Sequence, residues 1–358
     1  MIDSAKMERD LISNSVAEEW EKDIPRRVRK FGVQEAAKNA KMAKERNGEL
    51  GYRTSRDCLS ESISIEATAY GGPIRRATAQ PNSKVVQITI SPNTRLGREG
   101  PLTTKASPLA RKLLLENNGM QFGGKLVWEK RVNRFYLVML RHIEPVRDPD
   151  PSFQSKKTVA LDPGIKTVQT FYSPDGTHGT FLDGYETYVD AKIELLRKLH
   201  ARLEFIKGKR CEKKYRATRS TRRRILRTHC KLSNWMDNQH YFIINELFRE
   251  WDIVVFPVLN VSRIIRRKGR CFDKLMAHRL SCISHYKLRM RCKHRAETLG
   301  GKYVIEVGEP GTSRTCGHCG HWHQGLGGSR VFRCPRCQVE IDRDVNGARN
   351  NLLATFAV

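Results

Sequence analysis

The spacing of apolar positions changes along the chain and predicts different structure in successive regions. Up to about residue 50, apolar residues are spaced among alanine-rich, charged segments, which predicts helices, with Pro25 in a first turn. Between residues 51 and 150, short alternating segments rich in β-branched and aromatic residues are separated by turn-forming residues. This second pattern predicts a small antiparallel sheet or barrel, with one helix near residues 106–117.

After a linker-like stretch at 146–154, the pattern predicts three consecutive strands joined by "DPGIK" and "SPDG" turns. Helical and strand-like segments then alternate, at 185–250 (helical), 251–259 (strand), 263–299 (helical) and 301–307 (strand), before a final helix that begins near Asp344. Strands in hairpins followed by strands that alternate with helices predict a mixed α/β sheet.

Charge adds the strongest compositional signal. The 358 residues include 66 lysines and arginines against 38 acidic residues, a net charge of +28 with a pI near 10.0. An excess of this size favours a polyanionic partner, because cations placed on phosphates release counterions. The densest basic tract spans 207–231, and a second cluster spans 263–270. The nucleic-acid-binding residues predicted from these two clusters are Arg216, Arg219, Arg222, Arg223, Arg224, Arg227, Arg266, Arg267 and Lys268.

Two functional classes receive little support from the sequence. No apolar run approaches the roughly 20 residues needed to span a bilayer, so we expect no membrane partner. No secretory signal opens the chain, and six of the ten cysteines are scattered. We therefore expect a reducing compartment, the cytosol or the nucleus.

The other four cysteines form a strong metal-binding pattern. Cys316 and Cys319 form one CxxC pair, and Cys334 and Cys337 form a second. Two such pairs are typical of a tetrahedral structural zinc site, in which each short spacing directs two sulfurs at one ion. Four thiolates leave no open coordination position, so this zinc is not expected to be catalytic. Three nearby histidines, at 318, 321 and 323, are expected at the surface or in contact with nucleic acid.

Three aspartates are candidates for a second metal site. Asp162 ends an apolar strand, where a carboxylate is costly unless it meets a cation, although an Asp before Pro-Gly is also a common turn residue. Asp342 and Asp344 open the last predicted helix, where either one could serve as an N-cap. Carboxylates are the ligands that magnesium prefers, and two such ions can hold the attacking and leaving oxygens of a phosphodiester.

Taken in order, these motifs resemble a known family. The "LDPGIKT" segment, a long basic helical region, a buried strand ending in "LNV", the "TSRTCGHCG" and "CPRC" segments and "DRDVNGARN" are similar to the transposon-encoded TnpB RNA-guided nucleases. They resemble still more closely the eukaryotic relatives of that group, the Fanzor proteins. The resemblance covers about residues 156–351 by motif and the N-terminal part only by its general pattern.

The resemblance implies catalytic roles for three acids that would bind two magnesium ions. Asp162 matches the first catalytic aspartate and Asp344 the last, with Asp342 as the alternative. TnpB proteins carry a glutamate where this chain has Pro257, whereas Fanzor proteins place one just before the "TS" of the zinc segment. Glu309 matches that relocated position, and Glu306 on the preceding strand is the alternative.

The resemblance also implies a multidomain α+β architecture and a set of partners. We expect a helical recognition segment (1–50), a β-barrel-like wedge domain (51–150), a RuvC-like nuclease domain of RNase H fold (151–308), an inserted zinc ribbon that binds target nucleic acid (309–340) and a final RuvC segment (341–358). The expected assembly is a monomeric ribonucleoprotein with a guide (omega) RNA, which selects double-stranded DNA by base pairing. Nuclear localisation follows from the eukaryotic resemblance and the basic clusters.

Two other functions remain open at this point. The loss of the acid at Pro257 is compatible with a catalytically inactive RNA- or DNA-binding protein derived from such a nuclease. A DNA-strand-transferring transposase of the same fold would also use an acid triad, but the combination of motifs favours the guided nuclease.

Overall fold

The computed structural model of the chain describes residues 26–45, 60–65, 74–79, 85–90, 102–108, 110–112, 124–129, 132–140, 155–208, 214–265, 273–308, 314–326 and 329–355. It divides into two compact units, Met1–His142 and Ile143–Val358. Four predicted site residues, Glu309, Arg266, Arg267 and Lys268, lie outside the described residues.

The first unit contains one helix and two small antiparallel sheets among its described residues. Helix α1 spans Arg26–Glu45. One sheet has the order β1-β5-β6, and the other has the order β2-β3-β4. The strands are β1 (Ser60–Ile65), β2 (Ile74–Ala79), β3 (Val85–Ile90), β4 (Leu102–Lys105), β5 (Gly124–Glu129) and β6 (Arg134–Met139). Strands β1, β3, β5 and β6 fall within the alternating segments of the sequence, whereas β2 and β4 were missed. Half of the predicted helix at 106–117 lies within the described residues, and residues 108 and 110–112 are helical there.

The second unit is built on a five-stranded mixed sheet with the order β11-β10-β7-β8-β9. Its first three strands form two antiparallel hairpins, and β10 and β11 then run parallel to β7. The central strand is therefore the first in sequence. The strands are β7 (Thr158–Pro163), β8 (Gln169–Tyr172), β9 (His178–Phe181), β10 (Ile253–Pro257) and β11 (Tyr303–Val307). This topology confirms the predicted mixed α/β sheet.

The predicted helical stretches are each divided. The region 185–250 forms α2 (Tyr185–Gly208) and α3 (Lys214–Glu250), and a single turn, α4 (Val261–Ile264), follows β10. The next region forms α5 (Lys274–Ile283) and α6 (His285–Leu299). Ser284 separates α5 from α6 because its left-handed backbone, with φ of 53°, cannot continue a helix. None of the described helices is long and apolar enough to cross a bilayer.

The sheet is covered on both faces. Side chains alternate along each strand, so Leu161 and Phe256 face the main core, where they pack with residues of α2, α3, α5 and α6. Ala160, Val255 and Val307 point the other way and pack against the final helix, α7 (Arg343–Ala354). Burial of each large apolar side chain in this core contributes roughly 1.5–3 kcal/mol.

Between the sheet and α7 in sequence lies a small hairpin. Strands β12 (Val331–Arg333) and β13 (Glu340–Asp342) pair antiparallel, with Val331 opposite Asp342. Phe332 is fully buried and packs with the four clustered cysteines. The chain passes from β13 directly into α7, so the hairpin sets where that helix begins.

Two buried histidines stabilise the main core in their neutral form. His240 of α3 contacts the carbonyl of Ile283 through Nε2 (2.8 Å), and Nη1 of Arg291 lies 3.2 Å from its Nδ1. His285 at the start of α6 lies between Gln169 and the carbonyl of Gly164, at 3.2 Å from each. Burial lowers the pKa of both rings to about 4, since a buried imidazolium loses its hydration.

These histidines predict acid lability. The folded pKa lies below the unfolded value of about 6.5, so the unfolded chain takes up protons first as the pH falls, and stability is lost between about pH 6.5 and 4. Each histidine contributes up to about 1.4 kcal/mol per pH unit across this window. Denaturant unfolding at several pH values should therefore give a shallower pH dependence for His240→Asn than for the wild type. The matched variant His294→Asn, at an exposed histidine, should keep the wild-type slope; equal slopes for all three proteins would refute the prediction.

Candidate metal centres and basic groove

Asp162 lies near the carboxyl end of the central strand, on the face covered by α7. It alternates with Ala160, which packs against Leu352 of α7. A Cβ atom added to Gly347 of α7 would lie 2.7 Å from Oδ2 of Asp162 and 3.0 Å from its Cγ. Only a glycine allows this approach, because real Cβ atoms do not come so close. The carboxylate is thus packed directly against the backbone of the last helix.

Asp344 lies in the first turn of α7, one turn before Gly347. With about 100° per residue, Asp344, Gly347 and Asn351 share one side of the helix. Asn351 is fully buried on that side and donates a hydrogen bond from Nδ2 to the carbonyl of Leu161 (2.8 Å), next to Asp162. Asp344 therefore lies on the side of α7 that faces the Asp162 strand, and its carboxylate lies 3.6 Å from Nε of the neighbouring Arg343.

Asp342 has a different role in the same turn. It is the N-cap of α7, and its Oδ1 accepts hydrogen bonds from the backbone N–H groups of Asp344 (2.8 Å) and Val345 (3.1 Å). Capping satisfies backbone donors at the helix start that would otherwise lack partners. Of the two aspartates that open this helix, Asp344 is the one not used as the cap.

The neighbouring strand supplies no acid on this face. Val255 of β10 pairs with Ala160 of β7 in a parallel register. Two residues further along each strand, the same register brings Pro257 beside Asp162 on the α7-facing side. Val307 of β11 pairs with Pro257 and also faces α7. A proline side chain cannot bind a metal, so the third carboxylate expected here has to come from another segment.

Glu306 points to the opposite face of the sheet. It pairs in register with Phe256, a residue of the main core. Its carboxylate lies 3.0 Å from Nε of Arg289 and 2.8 Å from Nζ of Lys293, both on α6. Because side chains alternate along a strand, Glu306 and Asp162 cannot share a metal across the sheet. The structure therefore disfavours Glu306 as the alternative third acid.

The turn that follows Asp162 is held in place by hydrogen bonds from side chains of other elements. A Cβ on Gly164 would lie 2.5 Å from the carbonyl oxygen of Thr167, so the turn requires glycine. The Gly164 carbonyl faces His285, and the hydroxyl of Tyr185 donates to the carbonyl of Ile165. Burial raises the pKa of Tyr185, which keeps this donor protonated. Neutral side chains thus fix the turn without adding charge near Asp162.

The four clustered cysteines have the geometry of a tetrahedral zinc site. The four sulfur atoms all lie within 4.8 Å of one another. The Sγ atoms of Cys316 and Cys337 are 3.7 Å apart, and those of Cys319 and Cys334 are 3.6 Å apart. Four thiolates at about 2.3 Å from one zinc would lie about 3.8 Å apart. This is the one such metal-ligand cluster among the described residues, and none of the three nearby histidines belongs to it.

Local hydrogen bonds prepare these thiols for a cation. Burial raises the pKa of the Cys334 thiol, but the backbone N–H groups of Cys337 and Arg336 outweigh it and lower the pKa to about 6. At Cys337 the Val339 N–H acts in the lowering direction, but burial and the neighbouring thiols raise the pKa to about 12. Four sulfurs this close together cannot all ionise without a cation between them, because their negative charges repel. The residues present therefore fit zinc.

A basic groove runs between α2 and α3, with a volume of about 720 Å³. Seven cations and no acid line it, and none of them pairs with an acid in the described part of the chain. On α3 the lining cations recur every three or four residues and form one stripe along the helix. The lining residues are Lys192, Leu195, Arg216, Arg219, Ser220, Arg223, Arg224, Arg227, Thr228 and Lys231.

Some of the predicted nucleic-acid-binding residues line the groove and others do not. Five of the six predicted arginines on α3 line it, but Arg222 is exposed elsewhere on the helix. Lys192 and Lys231 were missed, although the helical periodicity of the tract could have indicated Lys231. Gly347 was also missed, because no sequence signal shows that the Asp162 carboxylate packs against it.

A protein-family model matches part of the chain. Residues 285–351, which include α6, β11, the cysteine cluster and most of α7, match the Cas12f1-like TNB domain. The matched segment thus contains the four cysteines and Asp344, but it does not include the strand that carries Asp162.

Similar proteins extend the comparison to more of the chain. It is 27% identical over 222 residues to a TnpB-like protein of Acanthamoeba polyphaga mimivirus, which covers 61% of this chain and 41% of that protein. It is 31% identical over 215 residues to a candidate transposase of Paramecium bursaria Chlorella virus 1 (58% and 46%), and 26% identical over 219 residues to InsQ of Escherichia coli, a candidate RNA-guided DNA endonuclease (58% and 51%). The chain thus spans about half or less of each of these relatives.

A solved structure shares the fold at low sequence identity. The cryo-EM structure of the Cas12f1–sgRNA–target DNA complex matches 90% of this chain and 70% of its own, with a TM-score of 0.52 and 13% identity. Parts of this chain are thus similar to a Cas12f1-like TNB domain and to TnpB-like proteins, and the chain shares its fold with the solved Cas12f1 structure.

The contact at Gly347 predicts an unusual response to substitution. Gly→Ala inside a helix ordinarily stabilises by up to about 1 kcal/mol. Here the added methyl would collide with the Asp162 carboxylate, and we expect Gly347→Ala to lower the free energy of unfolding by about 1–3 kcal/mol. Gly208→Ala, at the end of α2 with no atom within 4 Å of the new Cβ, should be neutral or mildly stabilising in the same denaturant titration. A Gly347→Ala protein more stable than wild type would contradict the close approach.

Proposed function

We propose that this protein is an RNA-guided DNA endonuclease with a RuvC-like, RNase H-fold nuclease domain. The observation that carries the proposal is the packing of the Asp162 carboxylate against Gly347 of α7, the helix that carries Asp344 one turn earlier. The sheet order supports it, since acids at this place on a central strand can meet an acid from a terminal helix. The similarity to InsQ and to TnpB-like proteins supports the same activity.

The third acid in this proposal is Glu309. Val307, the last residue of β11, faces α7, and Glu309 follows it two residues later in the sequence. Glu306 faces the other side of the sheet and is paired with two cations of α6. A carboxylate from Glu309 would fill the position beside Asp162 that Pro257 leaves without an acid. In this proposal the chain is closer to the Fanzor proteins than to the TnpB proteins.

The chemistry proposed for this centre is hydrolysis of a phosphodiester. Asp162, Glu309 and Asp344 would hold magnesium, which supplies an activated water and charge stabilisation of the leaving oxygen when bound. Oxygen-only ligands suit magnesium, and the sulfur cluster belongs to zinc. The turn after Asp162, fixed by Tyr185 and His285, would keep the first carboxylate in one orientation.

The proposed partners are a guide RNA and a matching DNA duplex, bound by one protein chain. Unpaired cations along α2 and α3 offer a surface for phosphates, and the related fold comes from a complex with guide RNA and target DNA. The stripe on α3 from Arg216 to Lys231 extends roughly 22 Å, which matches about six or seven nucleotides of one strand. Nuclear localisation remains part of the proposal.

The acid assignment predicts which substitutions abolish cleavage. With purified ribonucleoprotein, a matched duplex and magnesium, Asp162→Asn, Asp344→Asn and Glu309→Gln should each reduce single-turnover cleavage by about a thousandfold or more, because each removes a metal ligand. Target binding should persist. Glu306→Gln is the matched control on the other face of the sheet and should cleave within a few-fold of wild type.

Two outcomes would overturn parts of this proposal. Full activity of Glu309→Gln together with an inactive Glu306→Gln would reverse the choice of third acid. A wild-type protein that binds guide and target but never cuts in magnesium would favour the second candidate, an inactive nucleic-acid-binding protein. The observation that favours this second candidate is the proline in place of an acid on β10.

The groove predicts a difference between adjacent arginines. Arg223→Ala should weaken nucleic-acid binding for all sequences and reduce the slope of log affinity against log salt by about one, since one phosphate contact is lost. Arg222→Ala removes the same charge from the next residue of α3, outside the groove, and should leave the slope close to wild type. Filter binding of guide RNA and of target DNA, each over a range of salt, distinguishes which strand occupies the groove. Equal slopes for the two variants would contradict a groove-bound backbone.

A further inference from the structure

The first zinc knuckle is clamped to α7 by two buried asparagines. Asn346 is 1% exposed; its Oδ1 accepts from the backbone N–H of Gly317 (2.9 Å), and its Nδ2 donates to the carbonyl of Thr315 (2.8 Å). Asn350 also donates from Nδ2 to the Thr315 carbonyl (2.6 Å). These backbone groups belong to the two residues on either side of the zinc-ligand residue Cys316. Hydrogen bonds from α7 therefore hold Cys316 in place from both sides.

The backbone of the first zinc knuckle is packed closely against α7. A Cβ added to Gly317 would lie 3.1 Å from Cδ of Arg349 and from Oδ1 of Asn350, and 3.2 Å from Oδ1 of Asn346. Gly317 directly follows Cys316, so the knuckle backbone lies against the helix itself. A shift of this knuckle would therefore move α7 or break three buried hydrogen bonds.

Helix α7 contacts the zinc ribbon on one side and the sheet on a neighbouring side. Asn346 lies two residues from Asp344, about 200° around the helix, and Asn350 is one turn further along the same side. The side that carries Asp344, Gly347 and Asn351 is centred roughly 110° away from the asparagines and meets the Asp162 strand. The ribbon also fixes the start of the helix, because Arg343 donates its backbone N–H to the carbonyl of Arg330 (2.7 Å).

We propose that the zinc ribbon, acting through Asn346 and Asn350, positions Asp344 against Asp162, in addition to any contact it makes with nucleic acid. Asn346 is the principal positioning residue, because it makes two of the three bonds. This inference rests on the proposed nuclease function. Carboxylates that share metal ions tolerate little displacement, and a 1 Å misplacement can cost about a hundredfold in rate. In this proposal the zinc ribbon fixes the geometry of the cleavage centre through its contact with α7.

The test compares Asn346→Ala with Asn238→Ala, a change at an exposed asparagine of α3. We expect Asn346→Ala to keep one zinc per chain and to bind guide and target within about threefold of wild type. Its single-turnover cleavage should fall at least tenfold, and half-maximal cleavage should need several-fold more magnesium. Asn350→Ala, which removes one bond, should show a smaller defect of the same kind. Unchanged cleavage and magnesium dependence in Asn346→Ala would overturn the proposal.

A second measurement does not depend on cleavage. Hydrogen exchange of residues 343–350 is followed in the wild-type ribonucleoprotein bound to target, before and after zinc is removed by a zinc-selective chelator in excess magnesium. We expect faster exchange at the start of α7 with the target still bound, reversed when zinc is restored. Unchanged exchange would overturn the proposal even if Asn346→Ala failed to fold. A wild type that never cleaves would overturn the nuclease function, whereas the exchange result would still test the role of the ribbon.

Discussion

The packing of α7 between two partners is the constraint on which the rest of the candidate site depends. One side of this helix meets the central strand so closely that Gly347 touches the Asp162 carboxylate. A second side meets the first zinc knuckle through the amides of Asn346 and Asn350. The zinc cluster and the candidate carboxylate centre thus contact the same helix, so a displacement of one is transmitted to the other through it.

The sequence made the separate pieces predictable. Asp162 at a strand end, the two CxxC pairs and the aspartates at a helix start are local patterns, and the structure has each of them on the expected element. The regular spacing of lysine and arginine residues along α3 is likewise a local pattern. These features depend on residues within one or two turns of each other, and local spacing is what a sequence displays directly.

The remaining features depend on which way a side chain points in the folded molecule. Glu306 and Val307 are adjacent in sequence, but alternation places Glu306 among the cations of α6 and Val307 against α7. Choosing between Glu306 and another acid therefore required the register of β10 and β11. The role of Gly347 was hidden for a similar reason, since its partner lies on a strand that is remote in sequence. Asn346 and Asn350 look like ordinary polar residues of a helix until the knuckle is seen against them.

The distance in sequence between the two halves of the centre has a consequence for synthesis. The buried bond that seats α7 on the sheet joins Asn351 to Leu161, 190 residues earlier. At roughly 5–20 residues per second, a ribosome needs about 10–40 s to make the intervening chain. Throughout that interval the strand with Asp162 exists without its partner helix. A nascent chain can therefore present the basic groove of α3 before Asp162 and Asp344, the aspartates of the proposed centre, can come together.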